Sequence, residues 1–538
     1  MNKKANRFSP ILFAIVLVVG MIMGALLNKN QSTRSILFPT SSHGFSKIDR
    51  ILDYVETDYV DSVNRNELET DAINGLLEDL DPHSSYISAK DFHQINDPLM
   101  GSFEGIGISF RIEKDTIMVI NTIPGGPSEK VGLMGGDRIV KVNDSVIAGT
   151  GITNNDAIKL LKGKKGTKVE VAIFRKGIPN LLDFTITRDV IPMFSLDVAY
   201  MVNDSIGYIK LNKFSATTVD EFNKAMKKLK NKGMTALILD LRGNPGGFLK
   251  AAIDISDEFL PNKELIVYTE GKARERRYAF ATKKGNWENN TVIILIDEGS
   301  ASASEIVSGA VQDNDRGTII GRRSFGKGLV QEQMELPDSS ALRLTVARYY
   351  TPTGRCIQKP YKKNDFQDYY EEAYHRYLNG EMESADSIHF PDSLKYITPG
   401  GKVVYGGGGI MPDIYVPITT DTIHTFYNIL GNKGLIFRFA FNYTDSHRSE
   451  LSKFKDFESF NKGFNMSDSD YMDLVQFARE KGIDQSEKQI AVSKDKIKTL
   501  FKAYVGRNIL DEKGFYPIYH QIDTIFKKAV EIINNKKQ

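Results

Sequence analysis

The sequence predicts a multidomain protein of mixed α/β and α+β class. An N-terminal membrane helix and a helical segment precede a small β-rich domain, a mixed α/β core and a mostly helical C-terminal extension. Three observations carry that prediction. An uncharged run, Ile11 to Leu27, follows Lys3, Lys4 and Arg7. From Gly101 to about Pro192, short strand-like segments alternate with glycine-rich turns. From about residue 195 to 355, continuous apolar runs alternate with helical ones, the pattern of a mostly parallel sheet covered on both faces. A chain of 538 residues exceeds one ordinary domain. The boundaries read as 1–28, 29–100, 101–190, 191–420 (with an insert at about 359–402) and 421–538.

The uncharged run would be about 25 Å long as a helix, the short end for a span. No A-x-A-like site closes it, so it reads as an uncleaved signal-anchor, with a cleaved signal peptide as the alternative. Either places the rest of the chain across a bacterial inner membrane, anchored or released on the periplasmic side. With 70 basic against 68 acidic side chains, net charge gives no argument for nucleic acid, and none is expected as a partner. Cys356 stands alone, which excludes an internal disulfide and a cysteine metal cage. No ligand cluster at metal spacing appears, so neither metal nor cofactor is expected.

After the polar linker "NKNQSTRS", Ile48, Ile51, Leu52, Val55, Val60, Leu68, Ile73, Leu76, Leu77 and Leu80 recur at helical spacing. The segment stops at "LDPHSSY", where Pro82 ends it and His83 reads as a structural helix-end histidine. In the β-rich part, "FEGIGISFRI" is a glycine loop running into a strand, and "TIMVINTI", "GDRIVKVND" and "TKVEVAIFRKG" supply further strands. "GGPSEKVGL" gives one helical turn and "TNNDAIKLLKG" a helix with its N-cap. The amides of Gly105 and Gly107, beside a free strand edge, suit a carboxylate whose chain adds as an extra strand. A plain turn explains the same glycines.

In the core, the strands "IGYIKLNKF", "MTALILDL", "TVIILID" and "GTIIG" alternate with the helices "TVDEFNKAMKKLKNKG", "FLKAAIDISDEFL" and "EIVSGAVQD". Chemistry in such sheets sits at the carboxyl ends of strands. That brings together three turns: "RGNPGG", "EGSASASE" and "RRSFGKG". Small residues from Gly299 to Ser304 bend tightly into a helix, whose N-terminal amides favour a serine nucleophile that generates an oxyanion. Such a serine needs a base, and none of the eight histidines lies in these turns. Lys327, flanked by Gly326 and Gly328, serves if burial lowers its pKa. "GRRSFGKG" also falls one residue short of a phosphate-binding loop, but "GLVQEQMEL" behind it reads as a strand where that loop should open a helix. The plainest alternative makes Ser302 a helix cap and Lys327 a surface turn residue.

Two resemblances build on these residues. The order of pieces across about 90 residues resembles a PDZ domain. "GIGI" stands at that family's carboxylate loop, and "GGPSEKVGLMGGDRIVKVND" is similar to its most recognisable stretch. This implies recognition of a polypeptide C-terminus by Gly105, Ile106, Gly107 and Ile108, with apolar C-terminal residues preferred. "GSASASEIVSGAVQD", "GRRSFGKGLVQ" and "LRLTVARYYTPTGRCIQ" resemble the C-terminal processing peptidases, a family of serine endopeptidases. "LDPHSSY", "LDLRGNPGG" and "GIMPDIYVP" match in the same order, so the resemblance covers about residues 45 to 417. It implies Ser302 as nucleophile, Lys327 as general base and Gln331 as the residue orienting it. The implied oxyanion donors are Ala303 and one of Gly246 and Gly247, the choice between the two glycines staying open.

The charged insert departs from the family pattern and reads as a solvated subdomain or flap. The extension after Pro417 reads as helical. A surface for a second copy or an adaptor, or a packed cap on the core, are its two expected uses. The rival to an enzyme is a membrane-anchored PDZ scaffold with a dead hydrolase-like domain, which leaves the intact Ser302, Lys327 and Gln331 unexplained.

Overall fold

The computed structural model describes residues 14, 16–20, 47–362, 366–418 and 423–535. The chain divides into two compact units, Met1–Leu76 and Leu77–Gln538. The expected membrane span lies mostly outside the described residues. Among the described residues no helix is long and apolar enough to cross a membrane. The expected helical segment is realised as the helices Lys47–Asp58 and Arg65–Glu78. Within the first unit, Arg65 draws them together by ion pairs to Asp53 (2.6 Å) and Glu56 (2.9 Å), and pairs with Glu69 of its own helix (2.9 Å). Ile51, Val60 and Leu76, expected on an apolar face, are exposed.

In the second unit, the β-rich domain is an antiparallel sheet. Its strand order is Ile108–Ile112, Ile117–Thr122, Arg138–Val142, Lys168–Phe174 and Leu182–Thr187. Val169, Val171 and Ile173 bury against Ala157 and Leu161 of the helix Asn154–Leu161, which Thr153 and Asp156 start with a reciprocal capping box. Ser102–Gly105 and Asp189–Pro192 pair antiparallel where the chain enters and leaves the domain.

The α/β core is a six-stranded sheet ordered Leu196–Met201, Ile206–Leu211, Ala236–Asp240, Thr291–Ile296, Thr318–Gly321 and Ile414–Tyr415. The first pair is antiparallel and the rest are parallel. Side chains alternate between its faces. Leu237, Leu239 and Ile294 face the helices Thr218–Lys230, Leu249–Asp257 and Ala303–Asp313, with Phe222, Ile255 and Val307 packed among them. Ile238, Ile293 and Leu295 face Phe526 and Ala529 of the C-terminal helix Thr524–Asn535. A second, antiparallel sheet joins Ser85–Ile87, Ala341–Tyr350, Leu265–Gly271 and Arg274–Phe280, with Leu329–Glu335 also paired to Ala341–Tyr350.

The extension therefore divides. Its last helix belongs to the core sheet, while residues between Thr425 and Tyr519 build a helical core of their own around Phe460, Leu474 and Phe501. That helical part packs on the β-rich domain: Arg111 lies over the rings of Phe441 (4.2 Å) and Phe437 (5.7 Å). Asn121 donates to Asp511 (3.1 Å) and Lys176 to Ser446 (3.1 Å). The insert corrects the expectation of a solvated flap. Its helix Gln367–Leu378 buries Tyr369 and Arg376, and Arg323 pairs with Glu381 (2.7 Å) and Glu372 (3.1 Å).

Candidate active site

Ser302 ends the turn between the strand Thr291–Ile296 and the helix Ala303–Asp313, with φ +53° and ψ −111°. A side chain other than glycine seldom occupies positive φ, and holding it there costs about 1–3 kcal/mol. The surroundings enforce it. The Ser302 N–H donates to Glu305 Oε2 (2.8 Å). Gly246, at φ +98°, comes so close that a Cβ there would lie 2.8 Å from Ser302 Cβ and from the Ala303 nitrogen. The "RGNPGG" turn is stitched to this one. The Asn244 carbonyl accepts from Ala301 N–H (3.0 Å) and the Ser304 hydroxyl (2.9 Å). Asp297 Oδ1 accepts from the Gly243 (2.7 Å) and Gly299 (3.0 Å) amides. The two glycine amides differ here. The Gly246 N–H already donates to Asn244 Oδ1 (2.9 Å), whereas the amides of Gly247 and Ala303 have no partner among the described residues.

Lys327 sits one strand further along. Its amine donates to Gln331 Oε1 (2.9 Å), and Gln331 Nε2 donates to the His83 carbonyl (2.5 Å). Burial pushes the Lys327 amine below the ordinary lysine value; Arg343 adds to this, while Asp81 and Glu305 oppose it. Glu305 joins the two halves. Its carboxylate, fully buried, accepts from Ser302 N–H, Lys327 N–H (2.9 Å), Gly326 N–H (2.7 Å) and the Ser324 hydroxyl (2.5 Å). Burial pushes this carboxyl up to about 7, with those four donors pulling it down. The Tyr349 hydroxyl also reaches the carbonyls of both Ser302 (3.1 Å) and Lys327 (2.5 Å). Among the described residues no hydrogen bond joins the Ser302 hydroxyl directly to the Lys327 amine. Such bonds often tighten only with substrate present.

Sequence reasoning missed Glu305, Tyr349 and the use of the His83 backbone. A signal for Glu305 was present, since Ser302-Ala-Ser-Glu305 has the spacing of a helix capping box. The phosphate-loop alternative for Lys327 finds no helix behind it: Leu329–Glu335 is a strand.

In the β-rich domain, Gly105 ends its strand opposite Asp189. The buried Ile106 gives its carbonyl to the Ser128 hydroxyl (2.7 Å) and amide (3.1 Å). Gly107 takes φ +76°, and its carbonyl accepts from Ile123 N–H (2.9 Å). The Ile106 and Gly107 amides have no partner among the described residues. Ile108 then opens a strand that, among the described residues, pairs on one side only, to Ile117–Thr122. A loop with free amides beside an open strand edge suits the end of an extended chain.

Family models agree with this layout. Residues 205–367 match peptidase family S41, residues 105–186 match the PDZ domain, and residues 426–511 match a family of unknown function. The chain belongs to peptidase family S41 and is a serine peptidase carrying a PDZ domain. It is 39% identical over 363 residues to a carboxy-terminal-processing protease of Bartonella bacilliformis, covering 66% of this chain and 81% of that one. It is 35% identical over 367 residues to the carboxy-terminal processing protease CtpA of Bacillus subtilis, covering 66% and 78%. A solved photosystem II D1 C-terminal processing protease aligns with 69% of this chain and 87% of its own, at 24% identity and a TM-score of 0.36.

Proposed function

We propose that this peptidase captures polypeptides by a free, apolar C-terminus and cleaves them with Ser302 as nucleophile and Lys327 as general base. The observation that carries the reading is the single buried carboxylate of Glu305, which accepts from the backbone amides of both residues. Neutral Lys327 takes the Ser302 proton as the hydroxyl oxygen attacks the scissile carbonyl. The Ala303 and Gly247 amides receive the developing oxyanion, and the Lys327 ammonium returns its proton to the leaving amine. A water, deprotonated in the same way, then releases the acyl chain. Gln331 holds the amine in line. The substrate tail adds to Ile108–Ile112 as an extra strand, its carboxylate at the Ile106 and Gly107 amides. The basic-flanked run Ile11–Leu27 supports an inner-membrane anchor with the catalytic part on the periplasmic side.

The test compares two fluorogenic peptides that share an apolar tail and differ only in a C-terminal acid or amide. Ser302→Ala and Lys327→Arg should each lower kcat/KM by about 10⁴-fold with unchanged circular dichroism, because arginine stays protonated. Wild-type turnover should rise with pH as Lys327, lowered by burial, loses its proton. Amidation should raise KM about tenfold, the scale of hydrogen bonds to a charged group. Near-normal turnover by Lys327→Arg would sink the dyad, and equal KM for both peptides would sink tail recognition.

A further inference from the structure

The insert helix Gln367–Leu378 grips the surroundings of Lys327 at two places. On one side, buried Tyr369 sets its hydroxyl 2.8 Å from His83 Nε2, and the next residue, Tyr370, donates its hydroxyl to the Pro82 carbonyl. Pro82 and His83 form the turn whose carbonyl receives Gln331. On the other side, buried Arg376 donates to the carbonyls of Arg323 (2.6 Å) and Ser324 (3.1 Å), just before Lys327 in the chain. Between these grips the Lys359 amine lies over the rings of Phe325 (4.0 Å) and Tyr369 (4.1 Å) and donates to the Tyr369 carbonyl (2.8 Å). Glu372 neutralises it at 2.9 Å.

We infer that this helix is a positioning clamp for the catalytic lysine, with the Tyr369 hydroxyl acting through His83 and Gln331. The inference rests on Lys327 being the general base. The relay runs from the Tyr369 hydroxyl to the His83 ring, through the His83 carbonyl to the Gln331 carboxamide, and from there to the amine. Burial first, and then Lys327, lower His83 to about 4, so its ring is neutral near pH 7 and the contact with Tyr369 does not switch there. Asp81 and Lys359 are the other charges acting on that ring, and Arg343, Asp81 and Glu305 are those acting on Lys327. A helix whose only task was to bury surface would need its rings but not the Tyr369 hydroxyl.

The experiment uses the full chain. Tyr369→Phe keeps the ring and removes the hydroxyl. Its kcat should fall about tenfold, a loss of transition-state alignment, while KM and the melting temperature stay unchanged. Labelling of Ser302 by a fluorophosphonate should slow by the same factor. In a Gln331→Ala background the same change should cost nothing more, because the relay is already cut. If Tyr369→Phe fails to fold, Tyr370→Phe, on the exposed side of the helix, should give a smaller kcat loss that also vanishes with Gln331→Ala. Wild-type kcat in the variant that folds, or equal losses in both backgrounds, would overturn the clamp. Activity surviving in Ser302→Ala or Lys327→Arg would instead overturn the dyad on which it rests.

Discussion

Glu305 shows at the scale of one residue how much of the proposed site is held by a single buried carboxylate. Each of its oxygens accepts from two donors, and the four donors come from both sides of the catalytic centre. Glu305→Gln keeps the volume but replaces one oxygen with an NH₂ that faces two donors. Each buried donor left unpaired costs about 1–3 kcal/mol. The variant should therefore melt well below wild type and lose about a hundredfold or more in kcat. Wild-type melting and turnover would show that the carboxylate is dispensable. The pH dependence has a definite sign. The folded pKa, about 7, lies above the ordinary value of 4.5. The stability contributed by this group is therefore complete below about pH 4.5 and is lost as pH rises through about 7. Over that window the wild-type melting temperature should fall relative to Glu305→Gln. Activity should climb meanwhile, since the ionised carboxylate and the neutral lysine are both favoured by higher pH.

The elements divide by how clearly the sequence announces them. Buried parallel strands are continuous apolar runs, so "MTALILDL" and "TVIILID" were legible, and with them the turns that carry Ser302 and Lys327. The hairpin Leu265–Gly271 and Arg274–Phe280 was not. Most of "RERRYAF" is exposed and shows no apolar alternation. The insert misled for a related reason: composition cannot distinguish a solvated charge from one paired in the interior, as Arg376 is with Glu381 at 2.7 Å. The last helix was legible as amphipathic, but not its partner, because spacing names a face and not what covers it. That partner is the core sheet. Burying a residue such as Ile525, Phe526 or Ile533 contributes about 1.5–3 kcal/mol. A chain ending before Thr524 should thus be insoluble or melt at least about 10 °C lower, given a few degrees per kcal/mol. A soluble truncation with wild-type melting would contradict this packing.

At the scale of the molecule, the PDZ domain is held by more than its two-stranded connection to the core. Arg111, on the edge strand Ile108–Ile112, rests on Phe441 and Phe437 of the helical extension. A cation over an aromatic face contributes about 0.5–2 kcal/mol. Arg111→Ala should accordingly speed hydrogen exchange about tenfold in 108–112 and 437–441, with little change in kcat on a short peptide that carries no tail. Unchanged exchange in both segments would mean that the extension does not restrain the domain.

The link between Arg242 and Asp523 has a consequence for the timing of biosynthesis. Arg242, on the turn beside Ser302, pairs with Asp240 and, at 2.8 Å, with Asp523 at the head of the last helix. A chain leaves the ribosome from its N-terminus and folds by domains in that order. Ser302 and Lys327 therefore emerge long before Asp523, the second carboxylate on Arg242, and before the helix that covers the sheet beneath them. Until those last residues arrive, the nascent enzyme holds its serine on an unfinished support.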